Sequence, residues 1–235
     1  MKELAFTLVL TLLGSCAHSQ HKSFFDEVDT FFETYVSDGL VDYAALNKES
    51  GSLEKIVSLI ATTPQMEGDV EKAFLINAYN ILAIKMVIDS YPIEGPLQVD
   101  GFFDSEVFEV HTKPASLNSL EKGFLYQAFP DQLLHLVLVC AAKGCPKLSS
   151  KSYRPEGLYA QLNAQAEDVI NDKMFTRVDE KTGRLQLSQI FEWYEDDFGG
   201  KEGVMDFIKK YYNGKIKDPE NYGHYEYDWS INKAE

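Results

Sequence analysis

The chain has 235 residues, of which 45% are hydrophobic and 13% aromatic, and this much core material excludes disorder as its main state. With 22 Lys and Arg against 37 Asp and Glu, the formal charge is −15, which lacks the electrostatic footprint of a nucleic-acid binder. Three Cys are too few for a disulfide scaffold and too scattered for a four-cysteine zinc site.

Leu4 to Leu13 is an apolar run of signal-sequence length, too short to span a bilayer. Lys2 alone serves its positive start, and Glu3 offsets it. The run stops at Leu13-Gly14-Ser15-Cys16, which looks like a bacterial lipobox, where small residues enter a peptidase cleft and the Cys thiol takes a lipid. An ordinary signal peptide with an incidental Cys is the alternative. The motif predicts a leader over residues 1–15, lipidation at Cys16, a tether over 16–22 and one globular domain over 23–235. Such a protein sits in the cell envelope, on the periplasmic or outward face of a bacterial membrane. Its membrane contact is the lipid anchor, since an acidic surface offers no basic patch to anionic lipids.

Phe24, Phe25, Val28, Phe31, Phe32 and Tyr35 recur at helical spacing, and Asp38-Gly39 ends that helix. A second amphipathic helix is expected over Leu53 to Ala61. The pattern from Asp69 to Ser90 is apolar nearly all round, which marks a buried helix, and Tyr91-Pro92 stops it. Val107 to His111 reads as a strand, Lys113-Pro114 as a turn and Ala115 to Leu117 as the partner strand. Asn118 with Glu121 three residues on fits a capping box. Leu133 to Cys140, continuous and partly β-branched, reads as a buried central strand. Pro155 opens a helix to about Ile170. Phe175 to Asp179 and Leu185 to Ser188 flank Glu180-Lys181-Thr182-Gly183 as a hairpin. Helices follow over Gln189 to Asp197 and Glu202 to Tyr212, and the Tyr-rich tail from Lys215 reads as irregular. The fold class is α+β, a single helix-rich domain around a small, mostly antiparallel sheet.

Chemistry concentrates in Leu134-His135-Leu136-Val137-Leu138-Val139-Cys140-Ala141-Ala142-Lys143-Gly144-Cys145-Pro146. Nucleophilic catalysis needs a thiolate near an imidazole that a third group orients; Cys145 or Cys140, His135 and Glu121 supply those types, with Lys143 placed to favour a thiolate. On a flat strand, residues five apart face opposite sides, so His135 and Cys140 should not meet, whereas the Lys143-Gly144 turn can fold Cys145 back. Two other readings stay open. With Cys16 lipidated, Cys140 and Cys145 are the remaining pair for a disulfide in an oxidising compartment. Alternatively, Cys140 is a small core residue and His135 a satisfied core histidine. Two Cys and one His leave a zinc site a ligand short, so no metal or other cofactor is expected. Asn77 and Asn80 share one face of the buried helix and must find hydrogen-bond partners, from a neighbouring backbone first and from a ligand second. Glu192, Glu195, Asp196 and Asp197 around Trp193-Tyr194 read as a solvated face beside an aromatic anchor. No EF-hand loop, phosphate-cradling loop, histidine-pair zinc motif or Gly-x-Ser-x-Gly elbow occurs.

Taken in order, these motifs resemble the domain-of-unknown-function family numbered five hundred and forty-seven. The resemblance runs from Tyr35-Val36-Ser37-Asp38-Gly39-Leu40-Val41-Asp42-Tyr43 through Asn77-Ala78-Tyr79-Asn80 and Ser116-Leu117-Asn118-Ser119-Leu120-Glu121. It continues through Val139-Cys140-Ala141-Ala142-Lys143-Gly144-Cys145-Pro146 and Phe191-Glu192-Trp193-Tyr194-Glu195-Asp196-Asp197-Phe198-Gly199, and closes on Tyr227-Asp228-Trp229-Ser230. It implies a compact α+β domain likened to papain-type cysteine hydrolases, with Cys145 or Cys140, His135 and Glu121 as the machinery. The chain departs from the family pattern at Lys122, where His often follows the Glu, and at Leu133, where Arg often precedes the His by two. Two functions follow: a membrane-anchored thiol hydrolase, or a non-catalytic binding domain whose cysteines are structural. The substrate or protein partner is not specified by any motif.

Overall fold

A computed structural model describes residues 23–105, 107–179, 181–216 and 222–235. The leader, Cys16 and the tether lie outside the described residues. The first helix, α1, covers residues 23–35 and buries Phe24, Phe25, Val28, Phe31 and Phe32, as its periodicity requires. Asp38 and Gly39, both at positive φ, then turn strand β1 (Val36–Ser37) back onto β2 (Leu40–Val41). Gly39 also lets the chain pass Lys147 closely, since a Cβ there would meet Lys147 Cβ at 2.6 Å. Helix α2 (Tyr43–Lys48) is capped by Asp42, whose carboxylate accepts the Ala45 N–H at 2.8 Å. Helix α3 (Gly51–Thr62) matches the second expected helix.

Helix α4 (Gly68–Asp89) is the centre of the molecule, with 15 of its 22 residues buried. It packs against α2, α3 and a π-helix described below. A chain of apolar residues cannot by itself hold loops at a fixed height along such a helix; polar side chains do this. Lys72 pairs with Asp131 at 2.5 Å. Asn77 donates to the Ala73 and Tyr153 carbonyls and accepts the Tyr153 N–H. Asn80 donates to the Val137 carbonyl at 2.9 Å and accepts the Val139 N–H at 2.8 Å. Both carboxamides, weighed as ligand-binding candidates, are therefore spent on loop backbone.

The hairpin of β3 (Phe108–Val110) and β4 (Lys113–Ala115) turns two residues earlier than expected, at His111-Thr112 rather than at Lys113-Pro114. Both turn residues have positive φ, 53° and 63°, a conformation that usually selects Asn or Gly. His111 is held there from all sides. Its Nδ1–H donates to the Thr63 carbonyl at 2.6 Å, its Nε2 lies 2.9 Å from Glu71 Oε1, and its ring stacks on Phe74. Glu71 in turn accepts the Met66 N–H.

Next comes a helix over residues 117–128 whose middle, Ser119–Tyr126, is a π-helix. Its cap is Ser116, in reciprocal hydrogen bonds with Ser119, and not Asn118, which lies inside the helix and donates to Asp104. Glu121 is thereby released from capping. A π-helix widens the turn and re-aims the side chains along it.

Leu133 to Cys140 is not a strand. Gln132–Leu136 is a 3-10 helix, capped by Asp131 accepting the Leu133 N–H, and the chain then turns at Val137 and passes through residues 138–140 with no regular secondary structure. The physical reason is Asn80, whose side-chain amide takes the hydrogen bonds that a neighbouring strand would have supplied. Helix α5 (Leu158–Asn171) starts three residues after Pro155 and packs on this segment. The hairpin of β5 (Thr176–Val178) and β6 (Leu185–Ser188) forms as expected, but the tail contributes a third strand, β7 (Tyr222–Tyr225), parallel to β6. Between them run α6 (Ile190–Trp193), a 3-10 turn (Glu195–Phe198) and α7 (Gly200–Tyr211). The molecule is α+β and 52% helical, with its strands divided among three small sheets. Among the described residues no helix is long and apolar enough to cross a membrane.

The last residues strap the protein together. Val41 donates to the Asn232 carbonyl, Lys143 to Ser230, Gly144 to Asp228, and Asn232 to Ala141. The Tyr43 hydroxyl donates to Asn232 Oδ1, 2.8 Å away in the interior. Replacing Asn77 or Asn80 by Leu leaves buried backbone groups unpaired, and each should cost about 1–3 kcal/mol in urea unfolding. His111→Ala strands the Glu71 carboxylate in the interior and should cost more, about 3–5 kcal/mol by the same measurement.

Candidate functional site

A cavity of about 380 Å³ opens between the π-helix, the Cys140–Cys145 loop, α6 and the C-terminal strap. Glu121, His135, Cys140 and Cys145 all line it, so the structure gathers every residue the sequence nominated for catalysis. The remaining wall is largely aromatic, with Trp193 stacked on Trp229 at 5.7 Å and Tyr227 packed on both indoles.

The two thiols are free and partly exposed. Ala141, at φ 65°, puts a left-handed residue directly after Cys140, which turns the loop so that Cys145 folds back over it. A non-glycine residue there costs roughly 1–2 kcal/mol, a strain held in place by the strap hydrogen bond to Ala141. The Cys145 sulfur receives the Cys140 N–H at 3.0 Å and the Tyr227 hydroxyl at 3.0 Å. The Cys140 sulfur lies 3.3 Å from the same hydroxyl. Gly144 makes this possible, because a Cβ there would meet the Tyr227 ring at 2.8 Å.

These contacts divide the thiols. Burial pushes the Cys145 thiol up, but hydrogen bonds from Cys140, Tyr227 and the Ala142 and Cys140 amides outweigh it and leave it below an ordinary thiol. Cys140, which donates to its neighbour and is buried, is held well above one. Lys143, expected to favour the thiolate, is exposed, and neutral donors do this instead.

His135 does not join either sulfur. Its Nε2–H donates to Asp197 Oδ2 at 3.0 Å, which leaves the ring lone pair on Nδ1. The ring is sandwiched between Tyr194, at 3.9 Å, and Tyr126, at 5.5 Å. Burial lowers its pKa and Asp197 only partly opposes this, so the imidazole favours its neutral form. A thiolate–imidazolium pair is therefore absent, because the 3-10 turn commits the ring to Asp197 and the tyrosines. Glu121 accepts the Tyr194 hydroxyl at 2.9 Å, and burial raises its carboxyl above the usual range, against the pull of Tyr194, Lys122 and Tyr79.

Sequence reasoning missed Tyr227, Tyr79 and Trp229 and set Asp197 aside as part of a solvated face and Tyr194 as part of the aromatic anchor beside it. Tyr227 is reached only through the strap, with its N–H held by Gln189 Oε1 at 2.8 Å. The signal for it was the Tyr227-Asp228-Trp229-Ser230 motif itself, aromatic residues in a segment with no periodicity of its own.

Tyr227→Phe removes one donor from the Cys145 thiolate, so the pH midpoint of Cys145 alkylation by iodoacetamide should rise by about one to two units. His135→Gln should leave that midpoint in place; a rise equal to that of Tyr227→Phe would show the imidazole coupled to the sulfur after all.

The model of the family described as "Protein of unknown function, DUF547" matches residues 63–170, a narrower span than the motif resemblance. No curated protein and no solved structure matches the chain. The matched span carries α4 with both clamping asparagines, Glu121, His135 and the two thiols. Over residues 63–170, a little under half of its length, the chain is similar to the DUF547 family of proteins of unknown function.

Proposed function

We propose that the protein is a thiol-dependent acyl-transfer enzyme, a hydrolase in the simplest case, with Cys145 as nucleophile. The observation that carries this reading is a sulfur held by two donors at 3.0 Å on the wall of a cavity that it shares with a buried carboxyl. The Cys145 thiolate attacks the carbonyl carbon of an ester or amide, forming a thioester as the leaving alcohol or amine departs. Glu121, whose carboxyl burial raises above the usual range, supplies the proton that the leaving group needs. Its carboxylate then takes a proton from the water that hydrolyses the thioester, which restores both groups. Cys140 and Tyr227 act on the nucleophile and do not exchange atoms with the substrate. His135 and Asp197 are positioning residues here, holding Tyr194 behind Glu121.

The same reading places the protein in the bacterial cell envelope, anchored through a lipid on Cys16, on the strength of Leu13-Gly14-Ser15-Cys16. In this setting Cys16→Ala should release the protein from the membrane fraction. Equal partitioning of mutant and parent would overturn the anchor.

A second reading, a non-catalytic binding domain, is favoured by one observation: His135 is committed to Asp197 and packed between tyrosines, away from either thiol. The two are separated with 4-nitrophenyl acetate. The enzyme reading expects a transient acetyl group on Cys145 by mass spectrometry, none in Cys145→Ser, and turnover slowed roughly 100-fold or more in Glu121→Gln. No acyl-Cys145 in the parent sinks the enzyme reading and leaves the binding domain.

A further inference from the structure

The arrangement of the thiols carries more than a nucleophile. Two sulfurs share one hydroxyl, at 3.0 and 3.3 Å from Tyr227, and the Cys140 N–H donates to the Cys145 sulfur at 3.0 Å across a loop of four residues. The left-handed Ala141 and the side-chain-free Gly144 bring that loop back on itself, with the Cys145 N–H closing onto the Ala142 carbonyl at 3.2 Å. Both cysteines line an open cavity and keep some exposure, which gives a small molecule a route toward them. A packing role needs neither a hydroxyl shared by both sulfurs nor a place on a cavity wall.

We propose that Cys140 and Cys145 form a reversible redox couple that exchanges with low-molecular-weight disulfides, Cys145 attacking and Cys140 resolving. This deepens the reading of Cys145 as the reactive thiol but does not depend on acyl transfer. In the first step the Cys145 thiolate attacks one sulfur of R–S–S–R; a Cys145–S–S–R bond forms, the R–S–S–R bond breaks, and R–S⁻ leaves with the electron pair. In the second, Cys140 gives its proton to the departed thiolate, and its sulfur attacks Cys145 Sγ. The Cys140–Cys145 bond forms and a second R–S⁻ leaves, to be protonated from solvent. Two protein thiols are oxidised and one disulfide is reduced to two thiols.

The division of roles follows from the donors. Cys145 gathers hydrogen bonds and is the thiolate that attacks first, while Cys140 keeps its proton until a mixed disulfide stands beside it. Oxidation consumes the nucleophile, so the couple would switch the proposed acyl transfer off and a reductant would restore it.

The test uses the full chain, reduced and then exposed to glutathione disulfide, with intact mass and peptide mapping to separate Cys16 from the pair. The parent is expected to lose two hydrogens, keep no glutathione, and lose iodoacetamide labelling at both positions until reductant is added. Cys140→Ser, lacking the resolving thiol, should stop at one glutathione on Cys145. A parent that keeps a stable glutathione adduct, or stays reduced in excess glutathione disulfide, overturns the couple without reference to any variant. If Cys145 of the reduced parent, before any glutathione disulfide is added, alkylates below the ordinary thiol range, the nucleophile reading survives. If it does not alkylate, both readings fall.

Discussion

The Asn80 carboxamide is the constraint on which the site depends. It grips the chain at Val137 and Val139, one residue short of Cys140, and ties that stretch to the most buried helix of the protein. A peptide strand would have offered the same donor and acceptor, but over several residues and with a continuing register. A single side chain offers them at one point and leaves the chain free on both sides: His135 can turn into a 3-10 helix before it, and Ala141 can go left-handed after it. Lys72 fixes the start of the segment through Asp131, so α4 serves as a rail with two fastenings. Because α4 is buried on nearly every side, its height and rotation are set by close packing, and the thiol loop inherits that precision.

The electrostatic design follows from neutral groups. The chain carries a net charge of −15, and among the described residues no cation contributes to holding the Cys145 thiol low. Amide and hydroxyl donors stabilise its thiolate instead, and these cost no counter-charge and do not titrate near neutrality. Burial works in the opposite sense on Glu121, raising its carboxyl above the usual range. The pocket thus separates two acids by environment alone, with the stronger donors on the sulfur and the poorer solvation on the carboxyl.

What could be read from the sequence was whatever its own neighbours decide. The spacing in α1, α3 and α4 and the turn between β5 and β6 are local, and they appear where the pattern puts them. The capping box at Asn118 and Glu121 failed because Ser116 and Ser119 present the same chemistry two residues earlier, and a short motif cannot rank two caps. Leu133 to Cys140 failed because a continuous apolar run reports burial and says nothing about hydrogen-bond partners; the partner is an Asn 57 residues from Val137. His135 was assigned to the thiols by residue type, yet Asp197 and two tyrosines claim it, and no spacing rule links them. Tyr227 lies 82 residues from Cys145, and its role rests on a strap tied to the thiol loop and to β2 by long-range hydrogen bonds.

That strap makes the pocket a joint product of two distant parts of the chain. The span that matches the family ends at residue 170, and a fragment cut there would hold Glu121, His135 and both thiols. It would lack Tyr194, Trp193, Asp197, Tyr227 and Trp229, which form the opposite wall, and the backbone that keeps Ala141 left-handed. Such a fragment would carry the nominated residues without the cavity, and its Cys145 would be a thiol like any other.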